Sequence, residues 1–288
     1  MIKNPKVLFV GLGNMGWHMA GKLGKIGVYN RTIEKSRAHA EKFQTHAYDS
    51  PVRADTIVCC LPKSEDVQAI IREIKPNPGT LFIDTTSGDP YITREISKNS
   101  GIRYVDAPIS GGPHGAKAAT LTSMIGADSE SDYLAALPFI SKWSNMIYRT
   151  GDVGTAHAVK AINNALNATH LAVAAEALTA LQKFGINEEV ALRVINKSSG
   201  RSLATEERIP NHVLRHKEYG FKLGLMAKDV NIAHSIVTCV ETESIIAKTK
   251  SIVDEHLHNH GYDVDYTILA QNVAAGSTCM NSINDIRR

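Results

Sequence analysis

Residues 6–10 form a short β-branched and aromatic run that breaks at Gly11-Leu12-Gly13-Asn14-Met15-Gly16, after which residues 17–23 read as helix. A strand turning on three spaced glycines into a helix confines the chain to the opening unit of an α/β sheet that binds dinucleotides. The glycines act through the backbone. The first permits the tight turn, the second lets a pyrophosphate approach the main chain, and the third lets helix and strand pack closely. The other reading is an ordinary strand-to-helix turn that happens to be rich in glycine.

Short and long periods go on alternating after that turn. Residues 27–30 suit a second strand, Ile33–Phe43 a polar helix, 56–61 a buried strand closed by Pro62, and 67–74 a helix. Strands are expected at 80–83, 103–106 and 123–126, with a helix at 92–97. Such alternation implies right-handed crossovers, hence a parallel sheet covered by helices on both faces. From Thr155 the pattern becomes long Ala- and Leu-rich stretches, so the second half is expected to be all helical. Residues 155–184 suit one helix of about 45 Å, stopped by Gly185. Further helices are expected at 188–196, 225–240 and 244–258. The expected architecture is α/β: a doubly wound Rossmann-type parallel sheet in a dinucleotide-binding domain, 1–154, followed by an all-α domain, 155–288, joined by a long interdomain helix.

Composition narrows the class. Of 288 residues, 43% are apolar and 21% charged, as in a globular chain. A net charge of +3 without a basic block gives no footprint for nucleic acid. No apolar stretch reaches the roughly 18 residues of a membrane span, and no apolar leader marks the amino terminus. Cys59, Cys60, Cys239 and Cys279 show no metal spacing and read as reduced thiols of a cytoplasmic protein. His256, His258 and His260 read as a solvated helix end, so no metal is expected.

About 20 residues after the first glycine, an NAD site would carry an acid to accept from the ribose hydroxyls. The chain has Asn30-Arg31-Thr32 instead. A guanidinium beside a hydroxyl pairs with a 2′-phosphate, which predicts NADP(H), with NADPH preferred over NADH. The alternative is a solvated Arg31. A second glycine cluster, Ser110-Gly111-Gly112, follows the strand ending at Asp106. With side chains nearly absent, its amide hydrogens and the Ser110 hydroxyl form a concavity suited to a carboxylate. The glycines alternatively permit only a tight bend. Ser110 lacks the flanking elbow of a hydrolase nucleophile. In the long helix, Lys160 shares a face with Asn163 and Asn164 among small apolar neighbours. Either the amine has a buried task or it snorkels to solvent. Asp229 offsets Lys160 or Lys228, or forms a surface ion pair.

Together these stretches resemble the β-hydroxyacid dehydrogenase family, of the 3-hydroxyisobutyrate dehydrogenase and glyoxylate–succinic semialdehyde reductase type. The matching segments, in order, are 11–16, 30–32, Asp84-Thr85-Thr86-Ser87 with Pro90, 106–121, 151–164 and 221–229. The resemblance implies a hydride transfer between NADP(H) and a small β-hydroxy acid, semialdehyde or 2-oxo acid. It implies that Ser110, Gly111 and Gly112 bind the substrate carboxylate, that Lys160 is catalytic, and that Asn164 holds the lysine or the substrate. Asn163, Phe221, Lys228 and Asp229 would complete the surroundings of substrate and cofactor, with Leu61, Pro62 and Ser87 on the nicotinamide side. A homodimer or homotetramer covering the long helix is expected, with no nucleic-acid or membrane partner. An imine reductase-like NADPH enzyme is the rival reading, and Lys160 argues against it. A non-catalytic cofactor-binding homologue is another, and Lys160 beside Asn164 argues against that. The length argues against a phosphogluconate dehydrogenase. The chain departs from the family pattern in a link from Gly16 to Asn30 about four residues short, and in Ala119 and Ala156, where glycine is usual.

Overall fold

The computed structural model describes residues 4–238 and 244–275. Cys239, Cys279 and the end of the helix expected at 225–240 lie outside them. The chain divides into two compact units, residues 1–161 and 162–288.

The first unit is built on one mixed sheet. Its strands are β1 (Val7–Val10), β2 (Gly27–Tyr29), β3 (His46–Ala47), β4 (Thr56–Cys59), β5 (Leu81–Asp84), β6 (Arg103–Asp106), β7 (Ile109–Ser110), β8 (Leu121–Ala127) and β9 (Ser144–Gly151). The order is β3-β2-β1-β4-β5-β6-β8-β7, with β9 paired to β8. Strands β3 to β6 of that order run parallel, while β8 is antiparallel to both β6 and β7. The helices are α1 (Gly16–Gly21), α2 (Ile33–Phe43), α3 (Ser64–Ile74), α4 (Pro90–Ser100), α5 (Gly112–Ala118), α6 (Glu130–Ile140) and the start of α7 (Thr155–Lys183).

Alternation along the central strands explains the two helical layers. Phe9, Val58, Ile83 and Val105 point into one buried cluster with Met19 and Trp143. Their neighbours Leu8, Val10, Ile57, Cys59, Phe82 and Tyr104 point into another. A sheet apolar on both faces must be covered on both. Each such fully buried side chain contributes roughly 1.5–3 kcal/mol, and truncating Phe82 to alanine would cost about 3–5 kcal/mol.

The chain moves from β1 outward through β2 and β3, then returns to build β4, β5 and β6 on the other side. The reversal point lies between β1 and β4, whose carboxyl ends lead into Gly11 and Cys60, where open α/β sheets bind ligands.

The shortened link falls on both elements it joins. Helix α1 has only six residues and β2 only three. The last residue of α1, Gly21, packs closely on α2, since a Cβ there would lie 2.7 Å from the Phe43 ring.

Among the described residues the second unit has no named strand, only an isolated bridge between Lys222 and Asp265. It holds most of α7, then α8 (Glu188–Ile195), a π-helical segment Ala204–Val213, α9 (Leu223–Val237), α10 (Ile245–His260), a 3-10 turn Tyr266–Ala270 and α11 (Gln271–Ala275). Gly185, at φ +78°, ends the turn after α7. No helix among the described residues is long and apolar enough to cross a membrane.

Candidate active site

The glycine turn fits a backbone-bound ligand. Gly11 has φ +98°, and a Cβ there would stand 2.3 Å from the Cys60 carbonyl oxygen. A Cβ on Gly16 would stand 2.0 Å from the Gly11 carbonyl oxygen, whereas one on Gly13 would meet nothing within 4 Å. Gly13 and Asn14 are exposed, so the main chain there is open to a pyrophosphate, while Leu12 is buried and Met15 precedes α1 as its cap. The turn is held from β2: Gly11 N–H donates to the Tyr29 carbonyl at 2.9 Å. Leu12 N–H donates to Asn30 Oδ1 at 2.9 Å, and Asn30 Nδ2 donates to the Thr32 carbonyl at 3.1 Å. Asn30 is thus committed to the shape of the turn. Arg31 is exposed just past β2, and Thr32 caps α2 without a side-chain bond.

Beside it, the ends of β4 and β5 are tied together. Leu61 N–H donates to Thr86 Oγ1 at 3.1 Å, and Thr86 N–H donates to Asp84 Oδ1 at 2.9 Å. Pro62 is exposed and Ser87 half-buried. Burial, with Asp84 adding to it, pushes the Cys60 thiol up to about 11, so this cysteine is a poor nucleophile.

The Ser110 loop follows the last strand of the parallel set, as its position after Asp106 predicts. That set ends at Asp106, and after a two-residue break Ile109–Ser110 continue along the same edge of β8 in one antiparallel register, 105 opposite 127, 106 opposite 126, 109 opposite 123 and 110 opposite 122, while β9 takes the other edge. Because β7 prolongs β6, Ser110 ends at the same carboxyl edge of the sheet that leads into Gly11. Gly111, at φ +126°, and Gly112, at φ +63°, then turn the chain into α5. Gly111 is exposed, while Ser110 and Gly112 are half-buried.

The start of α7 is anchored from the sheet. Asp106, wholly buried at the end of β6, accepts from Gly154 N–H at 2.8 Å and His157 N–H at 3.0 Å. Burial raises the Asp106 carboxyl above its usual range; His157 and the two amides oppose this. His157 is itself fully buried, with Nδ1 2.7 Å from Thr93 Oγ1. Its Nε2 lies 4.0 Å from Asp84 Oδ2, without a hydrogen-bond partner among the described residues. Asp84 Oδ2 accepts from the Tyr104 hydroxyl at 2.6 Å. Lys160, three residues past His157, is only 9% exposed.

In the second unit, Asn164 and Asp229 are buried and bonded, while Asn163 is exposed. Spacing placed both asparagines on the face of Lys160; only the i+4 position turns inward with it. Asp229 Oδ1 lies 2.8 Å from Lys228 Nζ. Phe221 stacks edge-on against Tyr266, whose hydroxyl accepts from the buried Arg208 Nε at 3.0 Å. On α10, His256 Nδ1 is 2.9 Å from the Ile252 carbonyl, and His260 Nε2 is 3.3 Å from Gln271 Nε2.

Residues 6–151 match the family model described as the NAD binding domain of 6-phosphogluconate dehydrogenase. Residues 154–273 match that described as NAD-binding of NADP-dependent 3-hydroxyisobutyrate dehydrogenase. A 2-(hydroxymethyl)glutarate dehydrogenase of Eubacterium barkeri is 36% identical over 249 residues, 81% of this chain and 82% of that protein. A mitochondrial 3-hydroxyisobutyrate dehydrogenase of Mus musculus is 28% identical over 286 residues, covering 91% and 84% respectively. Among solved structures, a Mycobacterium tuberculosis 3-hydroxyisobutyrate dehydrogenase with L-serine superposes with a TM-score of 0.84 at 26% identity, covering 94% of this chain and 99% of that one. With the glycine turn at the sheet's reversal point and a helical second unit, these likenesses mean that the chain belongs to the β-hydroxyacid dehydrogenase family and is an NAD(P)-dependent oxidoreductase.

Proposed function

We propose that this enzyme reduces a short aldehyde or keto acid bearing a carboxylate, with NADPH preferred over NADH and Lys160 as the general acid. The cofactor, when bound, supplies the hydride. Residues 11–16 hold its pyrophosphate through main-chain amides, and Arg31 pairs with the 2′-phosphate. Ser110, Gly111 and Gly112 receive the substrate carboxylate. The Lys160 ammonium donates a hydrogen bond to the carbonyl oxygen, stabilises the charge developing there, and gives up a proton to leave the hydroxyl. In the reverse direction the neutral amine takes that proton back. Asn164, one turn on, orients the lysine or the substrate.

The observation that carries this reading is Lys160 itself, 9% exposed on a helix turn gripped by a buried carboxylate. We assign dinucleotide binding to residues 1–154 and the helical remainder to the substrate and to assembly, as a cytoplasmic homodimer or homotetramer.

The test is an NADPH-oxidation screen over glyoxylate, succinic semialdehyde, methylmalonate semialdehyde and tartronate semialdehyde. The relatives add two compounds for the oxidative direction with NADP+: 2-(hydroxymethyl)glutarate, for which one is named, and L-serine, with which another was solved. At least one compound should turn over, and Lys160→Ala should lower its kcat by about 10²–10⁴-fold. Full activity in the alanine variant, or no turnover anywhere, sinks the assignment.

A further inference from the structure

We propose that Asp106 and His157 are positioning residues for Lys160, clamping the first turn of α7 to the sheet and so fixing the amine relative to the Ser110–Gly112 loop. The inference rests on Lys160 as the proton donor. The first amides of a helix lack partners within it, and a nearby side chain usually accepts from them. Here the acceptor is a carboxylate 48 residues before Gly154 and 51 before His157, on the last residue of β6. A local cap would satisfy the amides equally well while leaving the helix free to shift against the sheet.

Asp106 also begins the segment that reaches Ser110 four residues later. One buried carboxylate therefore holds both the approach to the carboxylate-binding loop and the helix turn leading to Lys160. The arrangement carries a cost, since burial disfavours the charge on Asp106 and Nε2 of His157 has no hydrogen-bond partner among the described residues. His157 fixes the turn from the other side. Its Nδ1 is held by Thr93 in α4, and its ring fills space beside Gly88, where a Cβ would come within 2.8 Å of Cε1. Gly88 adjoins Ser87. Three short segments at the carboxyl edge of one sheet thus meet on two buried side chains, one of them, His157, three residues before Lys160.

A double-mutant cycle tests this, with the best substrate of the screen, reading kcat, KM and Tm. Asp106→Asn keeps the shape but puts a donor against one of the two amides, and Thr93→Val removes the hydroxyl that fixes His157. In the native background, kcat should fall roughly 10–100-fold for Asp106→Asn and about 3–10-fold for Thr93→Val, with KM for NADPH within about threefold. In a Lys160→Ala background, each should change the residual rate by less than about twofold, because the group they position is gone. Equal losses in both backgrounds, or no loss in the native one, overturn the proposal while leaving Lys160 in place. If Asp106→Asn does not fold, Thr93→Val alone decides. A fully active Lys160→Ala enzyme, or no substrate at all, fails the earlier reading and takes this one with it.

Discussion

Asn164 Nδ2 donates to Asp229 Oδ2 at 2.5 Å, joining α7 to α9 through two side chains that are both buried. The other carboxylate oxygen lies 2.8 Å from Lys228 Nζ. Removing the carboxylate leaves a buried carboxamide and a mostly buried ammonium to find new partners. Asp229→Ala should therefore cost about 3 kcal/mol in urea unfolding, and Asn164→Ala about 1–3 kcal/mol. The double variant should fall short of the sum by about 1–2 kcal/mol. Strict additivity would mean that the bond is not made in solution.

A titration prediction concerns the glycine-turn end of the sheet. His39 is buried, with its ring nitrogens 2.9 Å from Thr45 Oγ1 and 3.1 Å from the Trp17 carbonyl. Burial lowers its proton affinity below the ordinary histidine value of 6.5, against the pull of the Trp17 carbonyl. As pH falls through 6.5, the unfolded chain takes up a proton that the folded chain refuses. The unfolded state then binds more protons, and stability falls until the folded pKa is passed. Tm should thus drop on acidification below pH 6.5, and His39→Gln should drop less. Equal drops would exclude His39 as the source.

Legibility followed periodicity. Helix α2 and strand β6 were expected at their observed bounds because each carries a clean period between turn residues. Strand β9 was not anticipated: as an edge strand with Met146 and Tyr148 exposed, it lacks the in–out alternation that marks a half-buried strand. The two-residue strands β3 and β7 are too short for any period. At the site, the glycine turn and Lys160 carry spacing that chemistry explains. Asp106 and His157 are far apart in sequence and meet only through sheet order; the one local signal was an acid ending an apolar strand.

Ala119 shows what one departure from the family pattern costs. It ends α5 at φ +60°, with its N–H donating to the Gly115 carbonyl, a left-handed position where a Cβ is strained. Ala119→Gly should raise stability by about 1 kcal/mol, less the entropy that glycine adds to the unfolded chain. A lower Tm would show that the alanine methyl contributes packing greater than its strain.

Along α7, Val159, Leu166 and Val173 are exposed by 45%, 47% and 56%. Their seven-residue spacing forms one apolar seam, the kind a second copy of the helix covers. Light scattering at micromolar concentration should report a dimer or tetramer, and Leu166→Lys should shift it toward monomer. A monomeric native protein would leave this seam without its expected partner.

Asn30 and Arg31, though adjacent, should separate on cofactor titration. Asn30 shapes the turn through the Leu12 amide, which every dinucleotide shares, so Asn30→Ala should weaken NADPH and NADH alike. Arg31 is exposed beyond β2, where a 2′-phosphate would offer it a charge that NADH lacks. Losing a charge-assisted hydrogen bond of about 1.5–3 kcal/mol raises the NADPH Kd roughly 10–100-fold in Arg31→Ala, with NADH within about twofold. Calorimetric titration of both variants with both cofactors gives four ratios. If Arg31→Ala weakens the two cofactors equally, or the native enzyme binds NADH as tightly as NADPH, the guanidinium does not read the phosphate.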